Sequence, residues 1–476
     1  MSAADLTALS PVILVAAAAV AVMMLIAFFR SHMLTVLLTV TGLAGSFFAL
    51  FRAAGLAPKA VTPLIVMDGY SLFYMGLILV SGFVVTALSY SYLESCEGNP
   101  EEFYLLLLLA TLGSMVLVSA RHFASFFLGI EVLSVSLYAM VAYVRGAVRS
   151  NEAGLKYLVL AGVSSAFLLF GMALVYAGLG TMEFGRIAEK VSIAAGNPLV
   201  ISGFALTVVG IGFKLALVPF HMWTPDVYEG APAPVAAFIA TVSKGAVFAL
   251  LFRFLGGTDL QAYRPLFLIF SLLSIASMLA GNLLALFQQN VKRILAYSSI
   301  AHLGYLIVAF LAVGRLAVTA VGYYLAAYFV TMLGAFGVVT LLSGKKGDAE
   351  SLDDYRGLAR QRPWLAGIFT VMLLSLAGIP LTAGFIGKFY VVAAGANSGL
   401  WPLVVILAAS SATGLFYYLR IVAVLFMPGA EEKDAHWRVS FSGGFVTVCL
   451  AVVLFWLGVY PSFLIDIIRT AMNTVH

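Results

Sequence analysis

Glu131, Lys214, Lys244, His302 and Lys388 each lie deep inside a stretch of otherwise apolar residues. A charge near the centre of a bilayer costs at least about 2.5–3.5 kcal/mol on insertion scales, so a chain that keeps several is expected to use them. Carboxylate, amine and imidazole groups take up and release protons, and the chemistry implied is a buried proton relay. Lys244 stands about ten residues from either end of its apolar stretch, or about 15 Å of helix, which is beyond the reach of a snorkelling lysine stem. Low-dielectric surroundings disfavour an ammonium ion, so a lysine there could give up and regain a proton. The bland alternative is a lysine neutralised by burial and kept for packing.

Lys214 precedes Pro219 in Gly210-Ile-Gly-Phe-Lys214-Leu-Ala-Leu-Val-Pro219, and Glu131 is central in Phe126–Ser136. Each would lower the cost of burying the other. They are expected to pair, either as a structural tie between two helices or as a switch that pushes the lysine proton onward. Lys388 follows Pro380 in a stretch where snorkelling is the competing explanation. His302, in Ser298-Ser-Ile-Ala-His302-Leu-Gly-Tyr305, is either a satisfied core histidine or a relay between lysines too distant to touch. Ser243, Ser298, Ser299, Tyr305 and Thr382 could help hold water, while Asp226 and Glu229 read as a solvated face or an interface.

The elements that must position these residues are membrane helices. The 476-residue chain is 63% hydrophobic and 10% charged, with a mean hydropathy of +1.07, whereas a soluble domain carries about 25% charged residues. At about 20 apolar residues per span, an all-α integral membrane fold of about fourteen helices is expected. Their limits are 9–29, 33–51, 70–90, 103–119, 122–144, 155–179, 198–218, 231–255, 265–287, 294–313, 317–342, 364–396, 400–426 and 441–461. The first reads as a span rather than a removed signal peptide, since no basic flank precedes it. Helices seven and twelve are expected to break, at Val218-Pro219 and at Gly378-Ile-Pro380. Proline removes a backbone hydrogen bond, which is tolerated at membrane depth only where protein or a cavity satisfies the freed groups.

The broken helices are five apart, and so are the helices holding Glu131 and His302. That spacing suggests two inverted five-helix repeats with sites near the midplane. The expected division of the single transmembrane domain is 1–101 (helices 1–3), 102–258 (helices 4–8), 259–427 (helices 9–13) and 428–476 (helix 14). Basic residues concentrate in Arg145–Lys156, Lys292-Arg293 and Lys345–Arg362, which places these loops in the cytoplasm and both termini outside. Cys96 and Cys449 lack CxxC spacing and cannot hold an iron–sulfur cluster or a usual zinc site. Gly210-Ile-Gly212 lacks the third glycine of a dinucleotide site, and Gly384-Phe-Ile-Gly387-Lys388 is too short for a phosphate-binding loop. With no basic run longer than two residues, nucleic-acid binding is not expected. The chain shows no energy source of its own, so a pump built from it is driven by something else.

Phe213-Lys214-Leu-Ala-Leu-Val-Pro219-Phe-His221-Met-Trp223-Thr-Pro225-Asp226-Val-Tyr228-Glu-Gly230-Ala-Pro232 is a highly specific stretch. With Pro234–Lys244 and Asn290–Tyr305, it resembles the antiporter-like membrane subunits of respiratory complex I over essentially the whole chain. Members of the M type usually carry glutamate where Lys388 stands, and the L type adds a long lateral helix after helix fourteen, so the resemblance favours the N type. It implies an input pair Glu131–Lys214, a central relay Lys244, a connector His302 and a terminal, proton-releasing Lys388. It also implies that FMN, iron–sulfur clusters and quinone belong to other subunits, with no cofactor or metal in this chain. The implied partners are K-, M-, J-, A- and L-type subunits, including the lateral helix of L, within the lipid bilayer of a bacterial inner membrane. A Mrp-type cation/proton antiporter or membrane-bound hydrogenase subunit is the alternative in the same fold. A passive membrane scaffold is the third reading, which five buried ionisable groups disfavour.

Overall fold

The computed structural model describes residues 2–472 except 97, 145, 192, 195, 259, 262, 345, 346 and 429–439. Arg145, Lys345 and Lys346 of the basic loops therefore lie outside the described residues. An apolar chain in lipid can satisfy its backbone only within helices or closed barrels, and this one is helical. Helices α1 (Ala3–Phe28) and α2 (His32–Ala54) lead through a small hairpin, β1 (Lys59–Ala60) and β2 (Val66–Met67), to α3 (Gly69–Ser95). There follow α4 (Glu101–Ser119), α5 (Phe123–Val141), α6 (Val148–Leu179), the short α7 (Phe184–Val191) and α8 (Pro198–Leu215). The middle of the chain forms α9 (Trp223–Gly230), α10 (Ala233–Phe238), a π turn (Ile239–Ser243), α11 (Lys244–Leu255), α12 (Arg264–Leu286), α13 (Val291–Leu311) and α14 (Arg315–Leu342). It closes with α15 (Leu358–Gln361), α16 (Pro363–Ala377), α17 (Ala383–Asn397), α18 (Trp401–Phe426), α19 (Phe441–Val459) and α20 (Ser462–Met472).

Among the described residues, thirteen helices are long and apolar enough to cross a membrane, counting α10 to α11 as one. The expected twelfth helix is divided into α16 and α17, with Gly378 at φ 86° ending the first half. The expected break in helix seven falls at Ala216 (φ 58°), just before the proline; Pro219 prevents the helix from resuming and α9 restarts at Trp223. Two features were not expected from sequence. Helix eight carries a π turn directly before Lys244, and the chain continues past 461 as α20, whose Ile465, Ile468 and Met472 are buried.

Burial sorts the helices into a centre and a ring. Every residue of the most apolar window of Ala233–Leu255 and of α13 is buried, and nearly every one in α14. Outer helices instead expose large apolar side chains such as Phe48, Phe170 and Phe416, as a lipid-facing surface requires. Close approach fixes α13 against α12: a methyl group at Gly281 would fall 2.7 Å from the Ala301 nitrogen, and one at Gly304 would fall 2.8 Å from Met278 Cγ. Small residues let membrane helices pack this tightly. Asn290 caps α13, its side chain accepting from the Arg293 backbone. Asp68 caps α3 and holds Arg253 of α11 through two hydrogen bonds of 2.8 and 2.7 Å.

Candidate functional site

Three of the five ionisable residues stand where a helix ends, deforms or restarts: Lys214 near the end of α8, Lys244 directly after the π turn and Lys388 in α17, past the break. Lys214 is the second-last residue of α8. Its Nζ donates to Ser134 Oγ of α5 at 2.5 Å and faces the rings of Tyr138 and Tyr157 at 5.8 and 5.7 Å. Glu131 stands one turn before Ser134 on α5 and accepts from Ser165 of α6 at 2.5 Å. The expected direct pair is therefore not formed: among the described residues no ion pair within 4.0 Å joins Glu131 and Lys214, and each holds a serine instead. Ser134 and Ser165 gave no sequence signal, because hydroxyls are common throughout these spans.

Lys244 opens α11 where the π turn ends. A π turn widens the helix by one residue and is frequent at functional sites. Lys244 Nζ donates to Ser299 Oγ of α13 at 2.7 Å and lies 5.2 Å from the centre of the Tyr228 ring. Tyr328 of α14 donates to the same Ser299 oxygen at 2.7 Å. One turn further along α13, the two ring nitrogens of His302 face Tyr324 OH at 2.7 Å and Tyr418 OH at 3.2 Å. Tyr418 also hydrogen-bonds Ser298. The structure thus brings Lys244 of α11 to the stretch of α13 that holds Ser299 and His302, with Tyr328 bonded to Ser299, Tyr324 and Tyr418 facing His302, and the Tyr328 ring packed against the His302 ring. The sequence singled out none of these three tyrosines, since such residues are numerous and follow no period that marks them.

Lys388 does not snorkel. It turns back across the break and donates to the carbonyls of Leu376 and Ala377 at 2.8 and 2.9 Å and to Ser411 Oγ at 2.7 Å. Its ammonium thereby caps the C-terminus of α16, where the helix dipole favours a cation. It also lies 5.3 Å from the Tyr305 ring, and Tyr305 packs edge-on against His302. A small cavity of about 10 Å³ is lined by His302, Tyr324, Tyr328, Thr331, Ser375, Leu376 and other residues, roughly the room one water needs. Its lining includes His302 and Leu376, the residue whose carbonyl Lys388 holds. Thr382 bonds only its own turn, at Ile379 O. Tyr305 OH meets Asn282 and Ser410.

Asp226 and Glu229 are not a free solvated face. Asp226 accepts from Lys156 at 3.0 Å and Arg293 at 2.8 Å, and Glu229 from Arg293 at 2.7 Å, so α9 is tied to α6 and α13. Partial burial raises the Asp226 pKa, but the bonds from Lys156 and Arg293 outweigh it and hold the carboxyl below the usual range. Lys292, expected in a basic loop, is 1% exposed at the start of α13. All three of its donors are used: Asp348 Oδ2 at 2.6 Å, Glu229 O at 2.8 Å and Ala231 O at 2.7 Å. This clamp ties the foot of α13, which carries Ser299 and His302, to the segment that leads into α10.

Broken helices, lone buried amines and hydroxyl partners therefore converge in the middle of the helix bundle. The family described as NADH:quinone oxidoreductase/Mrp antiporter, transmembrane, matches residues 120–414. The chain belongs to that family. It is 49% identical to the NADH-quinone oxidoreductase subunit N of Ectopseudomonas mendocina over 99% of this chain and 97% of the relative. Its fold matches a chain of respiratory complex I from Thermus thermophilus, solved with bound aureothin, at 34% identity and TM-score 0.83, covering 96% of this chain and 98% of that one. A chain of the Mrp complex from Dietzia sp. shares the fold at TM-score 0.88 with 20% identity, covering 100% of this chain and 98% of that one. Within this family Glu131, Lys214, Lys244 and His302 fall inside the matched segment, and so does Lys388.

Proposed function

We propose that the chain is the N-type membrane subunit of an NADH–quinone oxidoreductase and moves protons along Glu131, Lys214, Lys244, His302 and Lys388. The observation that carries this reading is the hydroxyl-linked chain on α13, from Lys244 through Ser299 to Tyr328 and, one turn away, Tyr324, His302 and Tyr418. An amine with a hydroxyl partner and no carboxylate within ion-pair distance can lose its proton without leaving a counter-charge stranded. Ser299 Oγ can accept from Lys244 and, once the Tyr328 hydroxyl turns to accept, pass its own proton to that oxygen, so charge moves while the heavy atoms stay in place. His302, with a tyrosine at each nitrogen, can accept at one and donate at the other. Lys388 holds the proton at the dipole end of α16 until it leaves.

Energy reaches this path from outside the chain. Moving one charge against 100 mV takes about 2.3 kcal/mol, which a shift of about two pKa units in one relay group would match. Ser165, bonded to Glu131, and Ser134, bonded to Lys214, are placed to make that shift by a small rearrangement. FMN, iron–sulfur clusters and quinone belong in this account to other subunits, and K-, M-, J-, A- and L-type subunits are the neighbours. The subunit would sit in a bacterial inner membrane with both termini outside, its helices 4–8 and 9–13 acting as two inverted units. Deleting the chain and restoring it tests the assignment. Inverted vesicles lacking it should lose NADH-driven proton uptake, and re-expression should restore it. Loss of sodium-driven proton exchange with NADH-driven uptake intact would point to the antiporter alternative.

A further inference from the structure

Asn282 is the only asparagine or glutamine inside the thirteen apolar helices apart from Asn151, in the first turn of α6. It stands in α12, is 2% exposed, and the relay does not use it. Its two Nδ2 hydrogens serve three acceptors: the Met278 carbonyl of its own helix at 3.0 Å, Tyr305 OH of α13 at 2.9 Å and Ser410 Oγ of α18 at 2.6 Å. Its Oδ1 accepts from Tyr417 OH of α18 at 2.9 Å. The Met278 carbonyl can only accept, so the amide cannot be turned the other way round. Gly414 of α18 leaves room for it: a methyl group there would fall 2.9 Å from Asn282 Oδ1.

Buried amides also serve as plain ties between membrane helices, and a plain tie needs no particular partner. The partners here are walls of the far end of the relay. The Tyr305 ring lies 5.3 Å from Lys388 Nζ and 5.4 Å from the His302 ring. Its hydroxyl is drawn elsewhere, to Asn282 and, at 3.4 Å, to Ser410, and Ser410 donates in turn to Met278 O at 2.8 Å. Tyr305 therefore shows Lys388 a ring and no hydroxyl. A ring face attracts an ammonium ion, more strongly where water is absent, and Lys388 is 9% exposed. Tyr417, which donates to the amide oxygen, packs on Tyr418 at 4.3 Å, and Tyr418 OH faces His302 at 3.2 Å.

We propose that Asn282 is a positioning residue: by holding the Tyr305 hydroxyl it keeps that ring against the Lys388 ammonium, so that the amine reloads in place after each proton leaves. The proposal rests on the relay reading above. Asn282→Leu keeps the approximate side-chain shape and removes both polar ends. In the assembled complex it should lower the kcat of NADH–quinone turnover, and proton uptake with it, by about tenfold, the size of a desolvated cation–ring contact. The KM for quinone should not change. Tyr305→Leu should act alike, and the double variant should be no slower than either single one, because both remove the same contact. Thr413→Val is the neutral control on α18, since the Thr413 hydroxyl bonds only Ala409 O of its own helix at 3.1 Å.

A plain tie predicts another pattern: less assembled complex or a lower melting temperature, with kcat per assembled complex unchanged. That result would overturn the proposal. Should Asn282→Leu fail to assemble, Tyr305→Phe decides. It keeps the ring but frees it from the amide, while Asn282 retains Ser410, Met278 O and Tyr417. A severalfold lower kcat supports the positioning role, and a kcat equal to wild type overturns it. Lys388→Met separates this claim from the relay. Stalled turnover there, with normal turnover in Asn282→Leu, leaves the relay standing without the positioning role; normal pumping in Lys388→Met removes the relay and the proposal with it.

Discussion

Ser299→Ala removes one oxygen and should interrupt the relay at its centre. Ser299 is fully buried, and its Oγ is the shared acceptor of Lys244 and Tyr328, both at 2.7 Å. A hydrogen bond to a charged group contributes about 1.5–3 kcal/mol, and leaving a donor unmatched in the interior costs a similar amount. If that energy is lost from the protonated state that passes through Ser299, turnover falls by about tenfold to more than a hundredfold at about 1.4 kcal/mol per factor of ten. The assay is NADH–quinone turnover and proton uptake in inverted vesicles, with assembly of the complex confirmed. Both rates should fall together, since a stalled relay stalls coupled electron transfer. Ser271→Ala is the control: its hydroxyl bonds only Phe267 O of its own helix, so no change is expected. Turnover of Ser299→Ala within about twofold of wild type, well inside the penalty expected for the lost bonds, would refute the link.

Three further outcomes follow from the same geometry. Lys292→Met strands Asp348, which is 8% exposed; breaking a buried pair costs about 3–5 kcal/mol, so the amount of assembled subunit should drop sharply, and Lys292→Met with Asp348→Asn should recover part of it on a native gel. Gly378→Ala forces a side chain into a left-handed position at φ 86°, with its new methyl 2.8 Å from Lys388 Cδ; pumping should fall in complexes that still assemble, whereas Gly367→Ala, which meets nothing within 4 Å, should be neutral. The depressed Asp226 carboxyl contributes stability that is present above the ordinary carboxylate range and is lost as pH falls through its folded value. Thermal unfolding of wild type and Asp226→Asn should therefore differ at neutral pH, and the difference should shrink only below about pH 4.

The fold was legible where composition forces it. Apolar runs of span length are too long for barrel strands and so form helices in lipid, and Pro219 and Pro380 announced both broken helices. The π turn before Lys244 was not legible, because Ile239–Ser243 contains no glycine or proline and the turn is seen only where it packs against α3, α4 and α14. The ionisable residues stood out because charge is rare in these spans; their partners did not, because Ser134, Ser299, Tyr324, Tyr328 and Tyr418 are ordinary members of hydroxyl-rich helices. Two expectations failed for a shared reason. Glu131 and Lys214 were paired from depth alone, and Lys292 was read as a loop residue from its neighbour Arg293; in both cases the direction of the side chain decides, and sequence depth does not give it.

The central claim is that Lys244 carries the transported proton. Lys244→Met keeps an unbranched side chain in the pocket between Ser299 and the Tyr228 ring while removing the amine. In vesicles containing the assembled complex, the account predicts that NADH–quinone turnover and proton uptake both collapse. Pumping at the wild-type ratio of protons to electrons would contradict it and leave Lys244 as a packing residue.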